Sequence, residues 1–300
     1  MLNLTVTESG IRVDAYVTKT VSELSRTRAA SLIAEQRILL DGKPVKSSRK
    51  VEVGQKLSID IPAPEPTTAL AEDIPLDIVY EDDDVIVINK AQGMVVHPAP
   101  GHRTGTLVHA LLHHCAGSLS DINGVIRPGI VHRIDKDTSG LMLAVKNNAA
   151  HVKMAEMIAK HEVVREYRCV VHGTVETESG MVDAPIGRGN GDRRRMVVCE
   201  DGKPSVTTFR VVERFRKATD LQLRLETGRT HQIRAHMTFI GHPPLGDPLY
   251  APKRKNYGLK GQALHSTFVE FSHPISGETL SFTAPVPAYY ETLLAQLRDE

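Results

Sequence analysis

Between Val131 and Gly140 the chain crowds His132, Arg133, Asp135, Lys136 and Asp137 ahead of a turn-forming Thr-Ser-Gly. The apolar run Leu141 to Val145 follows at once, with the short length of a buried strand. A carboxylate drawn inside beside such a strand is costly unless a cation meets it. The best donor lies far downstream in L-E-T-G-R-T-H-Q-I-R (225–234). The two segments are therefore read as meeting in one site around Asp135.

The rest of the composition excludes several classes. At 300 residues the chain can bury a full core and form more than one domain. Net charge is +1, so a nucleic-acid argument must rest on local patches. Cys115, Cys169 and Cys199 form no CxxC pair, which argues against a disulfide framework or thiolate zinc and suits a reducing compartment. The opening MLNLTVTESG lacks the pattern of a signal peptide, and no apolar run approaches the ~20 residues that span a bilayer. A cytoplasmic, soluble protein with no membrane partner is expected.

Residues 1–62 read as a small basic module, with ten Lys/Arg against seven Asp/Glu. Ser25 is a candidate N-cap for a helix to about Glu35, with Ala29, Leu32 and Ile33 on its inward stripe. Arg37 to Val45 reads as strand, Asp-Gly turn, strand, and a second strand pair is expected around Val53 to Lys56. Residues 63–72 (APEPTTALAE) read as a proline-stiffened linker, and 73–300 as the main domain. There the acidic run Glu81 to Asp84 is read as a solvated turn before the strand Val85 to Ile88. Thr106 to Cys115 and His151 to Lys160 read as helices, and Arg165 to Gly173 as a partly buried strand. The loops 188–195 and 253–260 are basic. Further strands are expected at 207–212, 221–225, 269–271 and 280–282, with a closing helix from Tyr289 to about Arg298.

The histidines invite a metal reading that their spacing does not support. His109 and His113 stand four apart but lack the glutamate of a zinc-protease helix. His231 and His236 are five apart, about 140° around a helix and on opposite faces of a strand. No G-x-S-x-G elbow, Walker loop or GxGxxG occurs, so neither a serine hydrolase nor a nucleotide cofactor is indicated. What remains is a carboxylate held by an arginine.

H-R-I-D-K-D-T-S-G-L (132–141) resembles the signature of the large-subunit ribosomal RNA pseudouridine synthases of the RluA superfamily. L-E-T-G-R-T-H-Q-I-R, G-H-P-P-L-G-D-P-L-Y (241–250) and the strand R-E-Y-R-C-V-V-H-G (165–173) resemble its further motifs, nearest the D subfamily. Departures are small: Ile134 stands for leucine, Ala91 for proline after N-K, and Arg165 for lysine. Residues 1–62 resemble the RNA-binding module named after the fourth small-subunit ribosomal protein, through R-x-D, L-S-R and D-G-K-P-V.

The resemblance implies an enzyme that isomerises uridine in ribosomal RNA, breaking the glycosidic bond and rejoining ribose to a ring carbon. Asp135 is then the catalytic carboxylate, Arg229 its ion-pair partner, and Tyr167 the ring packed on a flipped base. Arg12, Arg26, Arg28, Lys43 and Arg133 would meet RNA phosphates. No metal or organic cofactor is implied, and a monomer is expected. The expected architecture is α+β: a small N-terminal α/β RNA-binding domain, then a catalytic domain on a long mixed, mainly antiparallel sheet whose cleft holds Asp135 and Arg229. The rival readings are a non-catalytic RNA-binding or ribosome-assembly protein and a metal-dependent hydrolase.

Overall fold

The computed structural model describes residues 2–21, 24, 26–61, 69–99, 101–116, 118–122, 127–189 and 191–300, without the side chains of residues 26, 27, 28 and 31. Two compact units result, Met1–Pro66 and Thr67–Glu300. Ser25, the side chains of Arg26 and Arg28, and most of the 63–72 stretch lie outside the described residues.

In the first unit, β1 (Leu2–Thr5) is followed by helices α1 (Val13–Thr20) and α2 (Arg26–Ala34). The short strands β2 (Ile38–Leu40), β3 (Lys43–Pro44) and β4 (Lys56–Ile59) then complete an antiparallel sheet in the order β1-β4-β2-β3. Between β2 and β3, Asp41 (φ 51°) and Gly42 (φ 75°) are both left-handed, as a type I′ hairpin turn demands. Ala29, Leu32 and Ile33 are buried with Val13, Tyr16 and Val17 against Ile38, Leu57 and Ile59. The strand pair expected around Val53 is not formed as a local hairpin. β4 instead bridges β1 and β2, so its partners are distant in sequence.

The second unit is built on a nine-stranded sheet. Its first strands are β5 (Ile78–Glu81) and β6 (Val85–Lys90), then after α3 (Leu107–His114) the buried β7 (Ser139–Val145). Helix α4 (Asn148–Ala159), capped by the Asn147 side chain, leads to β8 (Val164–His172) and β9 (Ser179–Asp183). A separate hairpin, β10 (Ile186–Arg188) and β11 (Met196–Val198), carries the arginine loop at its tip. β12 (Val206–Arg214), β13 (Ala218–Leu225), α5 (Gln232–Phe239), β14 (Leu264–Ser272), β15 (Thr279–Thr283) and α6 (Ala288–Arg298) complete the chain.

The order is β5-β6-β7-β14-β8-β13-β12-β9, with β15 also on β14, and among the described residues only β7 and β14 run parallel. This is the mixed, mainly antiparallel α+β architecture read from the sequence.

Two-residue periodicity divides the core between the sheet's faces. Ile86, Ile88, Met142, Ala144, Tyr167, Cys169 and Val171 pack on α3 and α5. Val85, Val87, Leu141, Leu143 and Val145 pack on Ala150 and Met154 of α4. Helix α6 buries Tyr290, Leu293 and Leu297, and the Tyr290 hydroxyl donates to the buried Asp220 at 2.7 Å. Arg168 pairs with the same carboxylate, so the last helix is tied to the central strands by a hydrogen bond as well as apolar area.

Candidate active site

β7, β14 and β8 meet at the middle of the sheet, and the turn entering β7 carries Asp135. Gly140 permits the junction: its φ is 107°, and a Cβ there would lie 2.2 Å from the Ser266 carbonyl oxygen of β14. The turn is held from below by Lys90 at the end of β6. This buried ammonium donates to the carbonyls of Ala91 (2.9 Å), Met94 (2.9 Å) and Lys136 (3.1 Å). Burial pushes its pKa down to about 7, while the charges of Asp137 and Asp135 pull the other way. Gln92 adds a bond to the Asp137 carbonyl, so backbone groups fix the acid loop.

Asp135 lines a cavity of about 530 Å³ with Arg133, Arg165, Tyr167, Arg229, His231 and Arg234. The ion pair expected with Arg229 is made by Arg234, whose Nη1 lies 2.7 Å from Asp135 Oδ2. The cause is local. Gln232 accepts from the Arg229 backbone N–H at 2.9 Å and donates to Val206 and Thr207 of β12, pinning the loop there. The Arg229 side chain then donates to the Pro204 carbonyl at 3.2 Å, while α5 carries Arg234 to the acid.

Arg234 is itself held by the third motif. Its Nε and Nη2 bond both oxygens of Asp247, at 2.7 and 3.0 Å. Asp247 Oδ1 also accepts from the backbone N–H groups of Leu249 and Tyr250, and the guanidinium lies 4.9 Å from the Tyr250 ring centroid. Burial opposes the Arg234 charge, but the Asp247 bond and the two carboxylates outweigh it, and its pKa stays above the ordinary arginine value.

Tyr167 is buried on β8 and faces this cavity. Burial raises its pKa against the pull of Arg165 and a Ser266 bond, so the phenol is neutral. Arg165, two residues earlier on the same strand, is also buried, and its Nε has no hydrogen-bond partner among the described residues. Arg133 is exposed, with Nη1 3.4 Å from His97 Nε2. His132 accepts the Leu143 N–H at Nε2 (2.9 Å), and burial followed by Arg165 lowers its pKa to about 3.

In the first unit the proposed phosphate contacts are unequal. The Arg12 guanidinium is already bidentate on Asp14, at 3.0 and 2.9 Å. Lys43 is exposed beside a cleft with Lys46 and Arg49.

The histidine helix behaves structurally: His109 Nδ1 accepts the Thr106 N–H (3.2 Å) and lies 2.7 Å from its hydroxyl. Among the described residues one group could gather three metal-binding atoms: Asp82, Asp84 and His273. The sequence supplied no third ligand near Asp82, and the fold brings His273 from the end of β14. It does not suit a cation. His273 Nδ1 accepts from the Ile275 and Ser276 N–H groups, so the neutral ring carries its proton on Nε2, which faces Asp82 at 3.0 Å. The cluster is a clamp between two turns.

A model of the RNA pseudouridylate synthase family matches residues 84–239, slightly more than half the chain and including Asp135, Tyr167 and Arg234. The chain belongs to the RNA pseudouridine synthases. The synthase also carries an S4 domain over residues 11–57. It is 48% identical to the uncharacterized RNA pseudouridine synthase YlyB of Bacillus subtilis over 96% of this chain and 94% of the other. It is 42% identical to the ribosomal large subunit pseudouridine synthase D of Escherichia coli K12, over 99% of this chain and 94% of that one. The fold is similar to that of human RNA pseudouridylate synthase domain containing 1, at TM-score 0.58 and 23% identity, covering 79% of this chain and 98% of that one. The synthase is thus an isomerase that converts uridine to pseudouridine in RNA.

Sequence reasoning missed Arg234, Asp247, Tyr250 and Lys90 as parts of its site. All four lie in or beside segments the resemblance had picked out, but no spacing rule separates Arg229 from Arg234. α5 is buried from Gln232 to Met237, so it shows no polar face by which to rank them.

Proposed function

We propose that the synthase modifies uridines of large-subunit ribosomal RNA, with Asp135 as the catalytic carboxylate. The observation that carries this reading is the division of labour at Asp135: Oδ2 is fixed by Arg234, leaving Oδ1 beside a cavity of nucleoside size. A carboxylate so placed can act on the ribose as the C1′–N1 bond opens, where positive character develops on the sugar. Tyr167 offers the flipped base an apolar face with no negative charge of its own. Arg133 and Arg229 lie at the cavity with guanidinium groups that suit RNA phosphates.

The large-subunit substrate is supported by the relatives bearing that name over nearly their whole length. Residues 1–62 are the proposed RNA-binding domain, with Lys43, Lys46 and Arg49 as its exposed cations, and 73–300 the proposed catalytic domain. No helix among the described residues is long and apolar enough to cross a membrane, and all three cysteines are free, which suits the proposed cytoplasmic setting. Mapping pseudouridines in ribosomal RNA from a strain lacking the protein tests the reading. Loss of specific large-subunit sites, restored by the wild-type chain and not by Asp135→Asn, is the expected result. An unchanged map contradicts the substrate assignment.

A further inference from the structure

We propose that His231 is a second proton-accepting group of this site, the base that takes the C5 proton of uracil once the ring has been rejoined to ribose. The proposal rests on the Asp135 reading above and adds a residue to it.

The tautomer of His231 follows from its neighbours. The Tyr250 hydroxyl has one proton, which it donates to the Met196 carbonyl at 2.9 Å, and it accepts the Met196 N–H at 2.9 Å. The third contact, to His231 Nδ1 at 3.1 Å, therefore uses a proton supplied by the imidazole. A neutral His231 then has a bare Nε2. That nitrogen lies 3.7 Å from Asp135 Oδ1, the carboxylate oxygen not engaged by Arg234. Nε2 and Oδ1 both turn lone pairs toward the cavity. His231 is held there at φ 54° as the N-cap of α5, a left-handed conformation unusual for a residue with a side chain.

Other cavity groups fit the task less well. His132 uses its Nε2 to accept the Leu143 N–H, so its proton sits on Nδ1. Tyr167 holds its phenolic proton, and His161 is exposed to solvent.

The chemistry calls for such a base. Breaking the C1′–N1 bond leaves its electron pair on uracil. Attack of C5 on C1′ then gives a neutral ring with a tetrahedral C5 bearing both hydrogen and ribose, and a double bond between N1 and C6. The proton on C5 must leave, its electron pair becoming the C5–C6 double bond, while N1 gains a proton. His231 Nε2 receives the first proton, and the resulting imidazolium can return it to N1, so that product and substrate are isomers. Because C5 bonds the carbon that Asp135 addresses, a nitrogen 3.7 Å from that carboxylate is within reach of the C5 hydrogen.

Burial lowers the His231 pKa below the ordinary histidine value, opposed by Asp135 and Asp247 and aided by Arg234 and Arg133. Arg195, over the Tyr250 ring at 5.0 Å, and Arg165 and Arg229, which line the same cavity, are further charges near this pair.

The test is single-turnover isomerisation of an RNA oligonucleotide carrying either 5-protio or 5-deutero uridine. His231→Gln and His231→Ala are expected to slow product formation by ~10²–10⁴-fold. They should also raise the C5-deuterium isotope effect well above that of the wild type, while RNA affinity stays within a few-fold. In the wild type, which needs no substitution to fold, the isotope effect should grow as pH falls and His231 becomes protonated. Variants that isomerise at the wild-type rate, or an isotope effect insensitive to both substitution and pH, overturn the proposal. Wild-type protein that forms no pseudouridine would instead overturn the functional reading itself.

Discussion

Arg234 joins Asp135 to Asp247, with one Nη bond at 2.7 Å to the first carboxylate and a two-point clamp at 2.7 and 3.0 Å on the second. The side chain of Asp247 is fully buried and that of Asp135 is 17% exposed, so one end of the bridge is sealed and the other faces the cavity. The sealed end sets the position of the working end.

Asp247→Asn should therefore act at a distance. Removing a carboxylate from a buried pair costs about 3 kcal/mol, and Arg234 loses the clamp that orients it toward Asp135. The expected outcome is a lower denaturation midpoint together with a fall in kcat larger than any change in KM. Urea melts and single-turnover kinetics measure both.

The two arginines of the second motif should separate cleanly. Arg234→Lys cannot reproduce three directed bonds to two carboxylates and is expected to lose ~10²-fold or more in turnover. Arg229→Lys keeps a cation at the cavity and disturbs only the bond to Pro204, so turnover should fall less than tenfold. Equal losses would place both arginines in the same role.

Much of this architecture could be read from the residues. The fully buried β7 announced itself as an apolar run, and the Asp41-Gly42 hairpin as a turn sequence. The pairing of the acid segment with the Leu225 to Arg234 segment followed from the cost of a buried charge. The identity of the arginine did not follow, because it depends on Gln232 pinning a loop and on a helix buried all round. Helix α1 went unread, since Val13 to Thr20 shows only a short, weak apolar stripe. Lys90 acts through backbone carbonyls, and Asp247 is positioned for its clamp by turn N–H groups, contacts that leave no periodic trace in a sequence.

Lys90 links stability to pH. Its folded-state pKa of about 7 lies below the 10.5 of an ordinary lysine, so between those values the unfolded chain binds more protons. This group therefore makes the fold gain stability as pH rises from about 7 towards 10.5. Lys90→Met should remove that slope and loosen the acid turn, lowering turnover through Asp135 without contacting substrate. Stability curves at several pH values, wild type against variant, check the sign.

Gly140 is a packing prediction. An added methyl would lie 2.2 Å from the Ser266 carbonyl oxygen, in a backbone conformation that favours glycine. Gly140→Ala should cost about 3 kcal/mol or more by separating β7 from β14, and should abolish activity with the loss of the cleft.

The most direct measurement is pseudouridine formation by Asp135→Asn, an isosteric change that removes the charge and keeps the volume. It should form no detectable pseudouridine in RNA that the wild type converts, while its RNA affinity stays within a few-fold. Conversion at a rate near that of the wild type would contradict the assignment of Asp135 as the group on which the reaction turns.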